Sequence, residues 1–180
     1  MGPLNSAKLN PPHHHQFLIL HEALQQGVAK QAVEAAEALL QGALSNTQRA
    51  LTLQQLGEAR RALSDRSAAL RAWQSSLESR YSPQVALMAL ETWLLPVVDW
   101  SASAEWLAVM DAMLRQGDGT TLLRALTHWL PQMPLALERQ ELLKVIETQT
   151  LLTHGHTADL ASIWQRIKLL TNGRGEAGDG

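Results

Sequence analysis

Apolar residues recur at spacings of three and four along most of the chain, and polar or helix-breaking residues interrupt them at short intervals. This period is typical of amphipathic helices. It predicts an all-α chain of about nine helices. Their expected extents are Gln16–Gln26, Ala29–Gln41, Ser45 to Ser64, Ser64 to Arg80, Pro83–Leu95, Ser103–Gln116, Thr120–Leu130, Pro134–Thr153 and Thr157–Leu170.

The residues at the predicted breaks have known roles at helix ends. Gly27 can adopt the left-handed conformation that often ends a helix. Ser45 and Gln48 have the spacing of a capping box, and Ser82-Pro83 pairs a cap with proline at the first helical position. Because the connections are short, consecutive helices are expected to pack antiparallel.

Three segments follow from the same pattern. Residues 1–15, with Pro, Asn and three consecutive His, predict a flexible lead-in, and residues 171–180 predict a flexible tail. Residues 16–170 are expected to form one helical domain. Hydrophobic residues make up 46% of the chain and are mostly Leu and Ala, a mixture that favours helix over sheet.

One stretch of the chain resembles a tetratricopeptide repeat. Large, small and aromatic residues occur there at the spacing of that family, namely Leu53, Leu56, Gly57, Ala69, Trp73 and Ser76. Arg60 stands where the family prefers Tyr, Ser64 where it prefers Gly, and Pro83 comes one residue late. The resemblance implies stacked antiparallel helical hairpins forming a superhelix, with an irregular helical bundle as the alternative.

Two weaker matches flank this repeat and bring the resemblance to roughly half of the predicted domain. The first covers Gln16 to Leu39, where Gly27, Ala32 and Ala36 fall at family positions. The second is a fragment with Gly155, Leu160, Trp164 and Ile167. Residues 83–131 match no repeat.

Composition excludes several functions. The chain has no Cys and a formal charge of -2, so neither thiol chemistry nor nucleic-acid binding is expected. No apolar run approaches the roughly 20 residues that cross a bilayer, and no signal peptide is recognisable. We therefore expect no membrane insertion and a cytoplasmic location, with a soluble domain of a longer or periplasmic protein as the alternative.

Histidines and carboxylates provide little sign of catalysis. His13, His14 and His15 lie beside two prolines in the predicted lead-in, and His154-Gly155-His156 is typical of a turn between helices. Catalytic and phosphate-binding motifs are absent, and no pair of carboxylates is singled out by its spacing. We expect no catalytic residue, no metal and no cofactor.

Partner binding is the more strongly indicated function. In the tetratricopeptide family the first helix of each hairpin lines a groove for a peptide or helix, which here implies Gln54, Glu58, Arg61 and Ala62 in the better repeat. In the weaker first repeat it implies Phe17, His21, Leu24 and Gln25. Residues 49–80 contain six basic and three acidic residues, including Arg60, Arg61, Arg66 and Arg71. They indicate either a surface for an acidic partner or a solvated helix face.

A second candidate surface is rich in tryptophan. The chain has six Trp against one Phe and one Tyr, and Trp93, Trp100 and Trp106 surround a junction broken by Pro96. This segment is expected either to be buried beneath a helix or to form a self-association or partner surface, with Trp93 and Trp100 as contacts.

The sequence thus predicts a non-catalytic scaffold or adaptor that binds a peptide or helix of another protein. By analogy of fold alone, such a domain suits a bacterial secretion, envelope-assembly or regulatory complex. The alternative is a helical-bundle domain that binds a ligand or catalyses a reaction between its helices.

Overall fold

The computed structural model describes residues 11–133 and 136–154. All regular secondary structure in these ranges is helical, which confirms the all-α prediction. Eight α-helices follow in the order α1 Pro11–Gln26, α2 Ala29–Leu40, α3 Asn46–Ala62, α4 Arg66–Ser79, α5 Pro83–Leu94, α6 Ser103–Arg115, α7 Gly119–Trp129 and α8 Ala136–His154. The ninth predicted helix and the repeat fragment beginning at Gly155 lie outside the described residues.

Helix α1 begins earlier than expected. It starts at Pro11 instead of Gln16, so the three consecutive histidines are helical and do not form an irregular lead-in. Proline is favoured in the first helical turn because its missing amide hydrogen has no intrahelical acceptor there. The Pro11-Pro12 pair is therefore compatible with the first turn of α1.

The caps around α3 and α4 account for their boundaries. Ser45 Oγ accepts a hydrogen bond from the Gln48 amide at 3.1 Å, and Gln48 Oε1 accepts one from the Ser45 amide at 2.9 Å. This confirms the predicted capping box. Between the helices Ser64 has φ 62°, a left-handed conformation at the position where the repeat family prefers glycine. Asp65 then caps α4 by accepting from the Ala68 amide.

The chain divides into two compact units between Val85 and Ala86. In the first unit α3 packs against α4 and α2, while α1 packs against α2 and, to a smaller extent, against α3. Many residues of its core are alanines, whose small side chains allow the helices to approach closely. The core cluster consists of Phe17, Leu20, Ala23, Ala32, Val33, Ala35, Ala36, Leu39, Leu53, Leu56, Ala59 and Ala72.

The second unit has larger core side chains. Its helix α6 packs against α7 and α8. The fully buried large residues are Trp93, Leu90, Leu94, Trp106, Met113, Leu126 and Leu142. No helix of the described ranges is long and apolar enough to span a bilayer.

Candidate partner-binding face

Trp73 of α4 determines how closely α3 and α4 approach. Its ring is fully buried, and its Nε1 donates a hydrogen bond to the Gln54 carbonyl oxygen at 3.1 Å. A Cβ atom built on Gly57 would lie 2.7 Å from Trp73 Cε2 and nearer still to two other ring atoms. The ring therefore lies directly against the backbone of α3, and residue 57 has to be glycine for this contact.

Arg61 covers the same ring one helical turn beyond Gly57. Its guanidinium carbon is 5.2 Å from the Trp73 ring centroid, a cation–π geometry that contributes about 0.5–1 kcal/mol at an exposed site. The Arg61 side chain is exposed. Trp73 thus holds a solvent-facing positive charge in a defined place on α3.

Arg60 differs from its neighbour in sequence. It forms an ion pair with Glu37 of α2, because successive residues of a helix point about 100° apart and residue 60 lies on the same side of α3 as Leu56. Its guanidinium therefore links α3 to α2, and contact of Arg60 with a partner stays a prediction.

One side of α3 is left uncovered by these contacts, and we call it the α3 face. Thr52, Leu56 and Ala59 on the opposite side are buried, whereas the residues of the α3 face are half-buried or exposed. These residues are Leu51, Gln54, Glu58, Arg61 and Ala62. Four of the five are the groove positions that the repeat resemblance implies.

Glu58 lies at the middle of the α3 face and is half-buried. Its burial disfavours the charged form and raises the pKa of its carboxyl above the ordinary value, and the positive charge of Arg61 opposes this only in part. A carboxylate and a guanidinium therefore occupy adjacent turns of the face in unlike environments.

The groove positions implied for α1 are only partly exposed. His21 and Gln25 are exposed and Leu24 is half-buried. Phe17 has only 8% of its surface exposed and belongs to the core cluster of the first unit. The structure thus places the Phe17 ring inside the unit, among the core side chains.

The tryptophan-rich junction separates into buried and exposed parts. Trp93 is 1% exposed and Trp106 is fully buried, whereas Trp100 is 40% and Val97 54% exposed. The rings of Trp100 and Trp106 meet edge to face with centroids 6.5 Å apart. Trp93 is therefore a core residue and not a surface contact, while Trp100 remains accessible.

A signal for the burial of Trp93 is present in the sequence. Ala86, Ala89 and Leu90 precede it at the spacing of one helix face, and all are buried. Trp100 lies outside that helix in a 3-10 turn, Trp100–Ala102, so its position could not be derived from helical periodicity.

Within the described ranges no three His, Asp or Glu side chains come together as a metal site would need. Comparison of the chain with protein-family models, with curated proteins and with solved structures yields no match in any of the three.

Proposed function

We propose that this chain is a non-catalytic interaction scaffold whose α3 face binds a peptide or helix of a partner protein. The observation that carries the proposal is Arg61, an exposed cation held over the buried Trp73 ring at 5.2 Å. An arginine ordered in advance loses less side-chain entropy on binding than a freely rotating one. Arginine is also among the residues enriched at binding hot spots.

The arrangement of the first unit supports a tetratricopeptide-like superhelix as the scaffold. Helices α1 with α2 and α3 with α4 are consecutive neighbours, and α3 also contacts α1. In such an array the first helix of the second hairpin, here α3, contacts both its own partner α4 and the first helix of the preceding hairpin, α1. Gly57 and Trp73, both at positions of the repeat pattern, are in contact. Gly57 allows α3 and α4 to approach closely, and the Trp73 ring fills the space between them.

The experiment is selection of a displayed random peptide library on the 180-residue chain, followed by affinity measurements. We expect enriched peptides to bind Arg61→Glu at least about tenfold more weakly than the wild type. Arg124→Glu is the control, because Arg124 is an exposed arginine of α7 in the second unit, and peptide binding to this variant should be unchanged.

Two outcomes would overturn the proposal. One is a selection that enriches no peptide family over a bare support. The other is a set of enriched peptides whose affinity is the same for Arg61→Glu and for the wild type.

The exposed ring of Trp100 supports a second candidate function, which is self-association. Together with Val97 it places two large apolar side chains at the surface of the second unit. We expect light scattering to show a concentration-dependent increase in mass that Trp100→Ser abolishes. A mass that stays at that of one chain at high concentration would dismiss this candidate.

A further inference from the structure

The carboxylate of Glu58 has an incomplete set of partners. Among the described residues no donor lies within hydrogen-bond distance of it, and no basic group lies within 4.0 Å. Its interaction with Arg61 is one of charge at longer range. Half-burial has removed part of its water without supplying a bonded cation, and this loss raises its pKa.

Arg61 has donors to spare on the same face. Its guanidinium lies over the Trp73 ring and interacts with the charge of Glu58, and within the described part of the chain no carboxylate lies within ion-pair distance of it. A cation–π contact engages the charge of the guanidinium but provides no acceptor for its five N–H donors. These donors remain available to a carboxylate of a bound molecule.

The two groups are three residues apart on one helix, which corresponds to a rise of about 4.5 Å along the axis. We infer that the α3 face selects a partner segment carrying both charges, a Lys or Arg opposite Glu58 and an Asp or Glu opposite Arg61. This inference rests on the proposed function and specifies the chemistry of the peptide bound there.

A purely acidic partner fits the face less well. The excess of basic residues in α3 and α4 suggested such a partner, but the middle of the α3 face is a carboxylate. An acidic side chain placed there would meet a like charge. An apolar side chain would remove the remaining water from Glu58 and leave a buried, unpaired charge, which is strongly unfavourable.

The test examines the motif of the library-selected peptides and then reverses the charges. We expect the enriched sequences to share one basic and one acidic residue at a fixed separation. Glu58→Lys should bind them at least about tenfold more weakly. Replacing the peptide's basic residue by Glu should restore binding to Glu58→Lys while weakening binding to the wild type. Glu78→Lys, a charge reversal at an exposed residue of α4, should bind the original peptides as the wild type does.

The outcomes separate this inference from the proposed function. Enriched peptides that depend on Arg61 but carry no shared basic residue would leave the binding face standing and overturn the role of Glu58. Equal binding by Glu58→Lys and the wild type would do the same, as would failure of the exchanged peptide to restore affinity. A selection without any enriched family would overturn both.

Discussion

Replacing Gly57 by alanine would place a methyl group in the volume that the Trp73 ring occupies. The new Cβ would lie 2.7 Å from Cε2 and closer to Nε1 and Cδ1. The ring cannot easily move away, because it is fully buried and its Nε1 is hydrogen-bonded to the Gln54 carbonyl. Either the ring rotates and loses that bond, or α3 and α4 separate.

The expected magnitude combines opposing effects. Overpacking of a well-packed site costs about 1–3 kcal/mol, and loss of the indole hydrogen bond costs about 1 kcal/mol. Alanine in place of glycine inside a helix returns about 1 kcal/mol. We therefore expect Gly57→Ala to lower the free energy of unfolding by about 2 kcal/mol, since the clash outweighs the gain in helix propensity.

A double-mutant cycle with Trp73→Ala isolates the clash. Trp73→Ala alone should cost about 3–5 kcal/mol. In that background nothing opposes the new methyl group, so adding Gly57→Ala should raise stability by up to about 1 kcal/mol. Guanidinium unfolding followed by circular dichroism at 222 nm measures all four chains without relying on tryptophan fluorescence. If Gly57→Ala stabilises the chain that retains Trp73, the described contact between α3 and α4 is wrong.

Five further substitutions test the surroundings of Glu58, of Ser64 and of two tryptophans. Because burial raises the pKa of Glu58, the folded chain holds a proton at a pH where the unfolded chain has released it, so stability falls as pH rises through the folded pKa. Glu58→Gln should therefore be more stable than the wild type at neutral pH in denaturant titrations, and the difference should shrink towards about pH 4. A difference in unfolding free energy that does not change with pH would contradict the raised pKa of Glu58. Ser64→Gly should raise the free energy of unfolding by about 0.5–1 kcal/mol, because glycine adopts the left-handed conformation without strain. Ser75→Gly inside α4 should lower it by about 0.5 kcal/mol. Thermal melts that rank the two variants in the opposite order would refute the strain at Ser64. Trp93→Ala should lower the free energy of unfolding by about 3–5 kcal/mol, and Trp100→Ala should lower it by less than about 1 kcal/mol. Equal decreases for the two variants would contradict the different burial of the two rings.

Helical periodicity and stop residues were sufficient to locate the helices of the described ranges. Leu, Ala and Gln at spacings of three and four define each helix, and Gly27, Ser45 and Pro83 lie at or beside the observed ends. Periodicity does not predict the early start of α1, because a Pro-Pro pair before three histidines is also typical of a loop. The same pair is compatible with a first helical turn.

Side-chain environments were harder to derive than helices. Arg60 and Arg61 are adjacent in sequence, yet one pairs with Glu37 and the other covers Trp73. Periodicity places residue 60 beside Leu56 and residue 61 beside Gly57, so their different directions were derivable. The identity of their partners was not, because Glu37 and Trp73 lie on other helices whose docking depends on tertiary packing.

The pKa of Glu58 illustrates the same limit at the candidate site. The repeat resemblance placed Glu58 in the groove, but the degree of burial that shifts its pKa depends on neighbours distant in sequence. Phe17 is a second example: the resemblance implies a groove position for it, whereas its ring lies in the core cluster of the first unit.

The most direct test of the central claim is to locate the binding site of a library-selected peptide on the 180-residue chain from changes in the protein's amide chemical shifts. We predict that the largest changes occur along α3, at Leu51 to Ala62, and at the indole N–H of Trp73. Changes confined to residues 86–154, with α3 and Trp73 unperturbed, would contradict it.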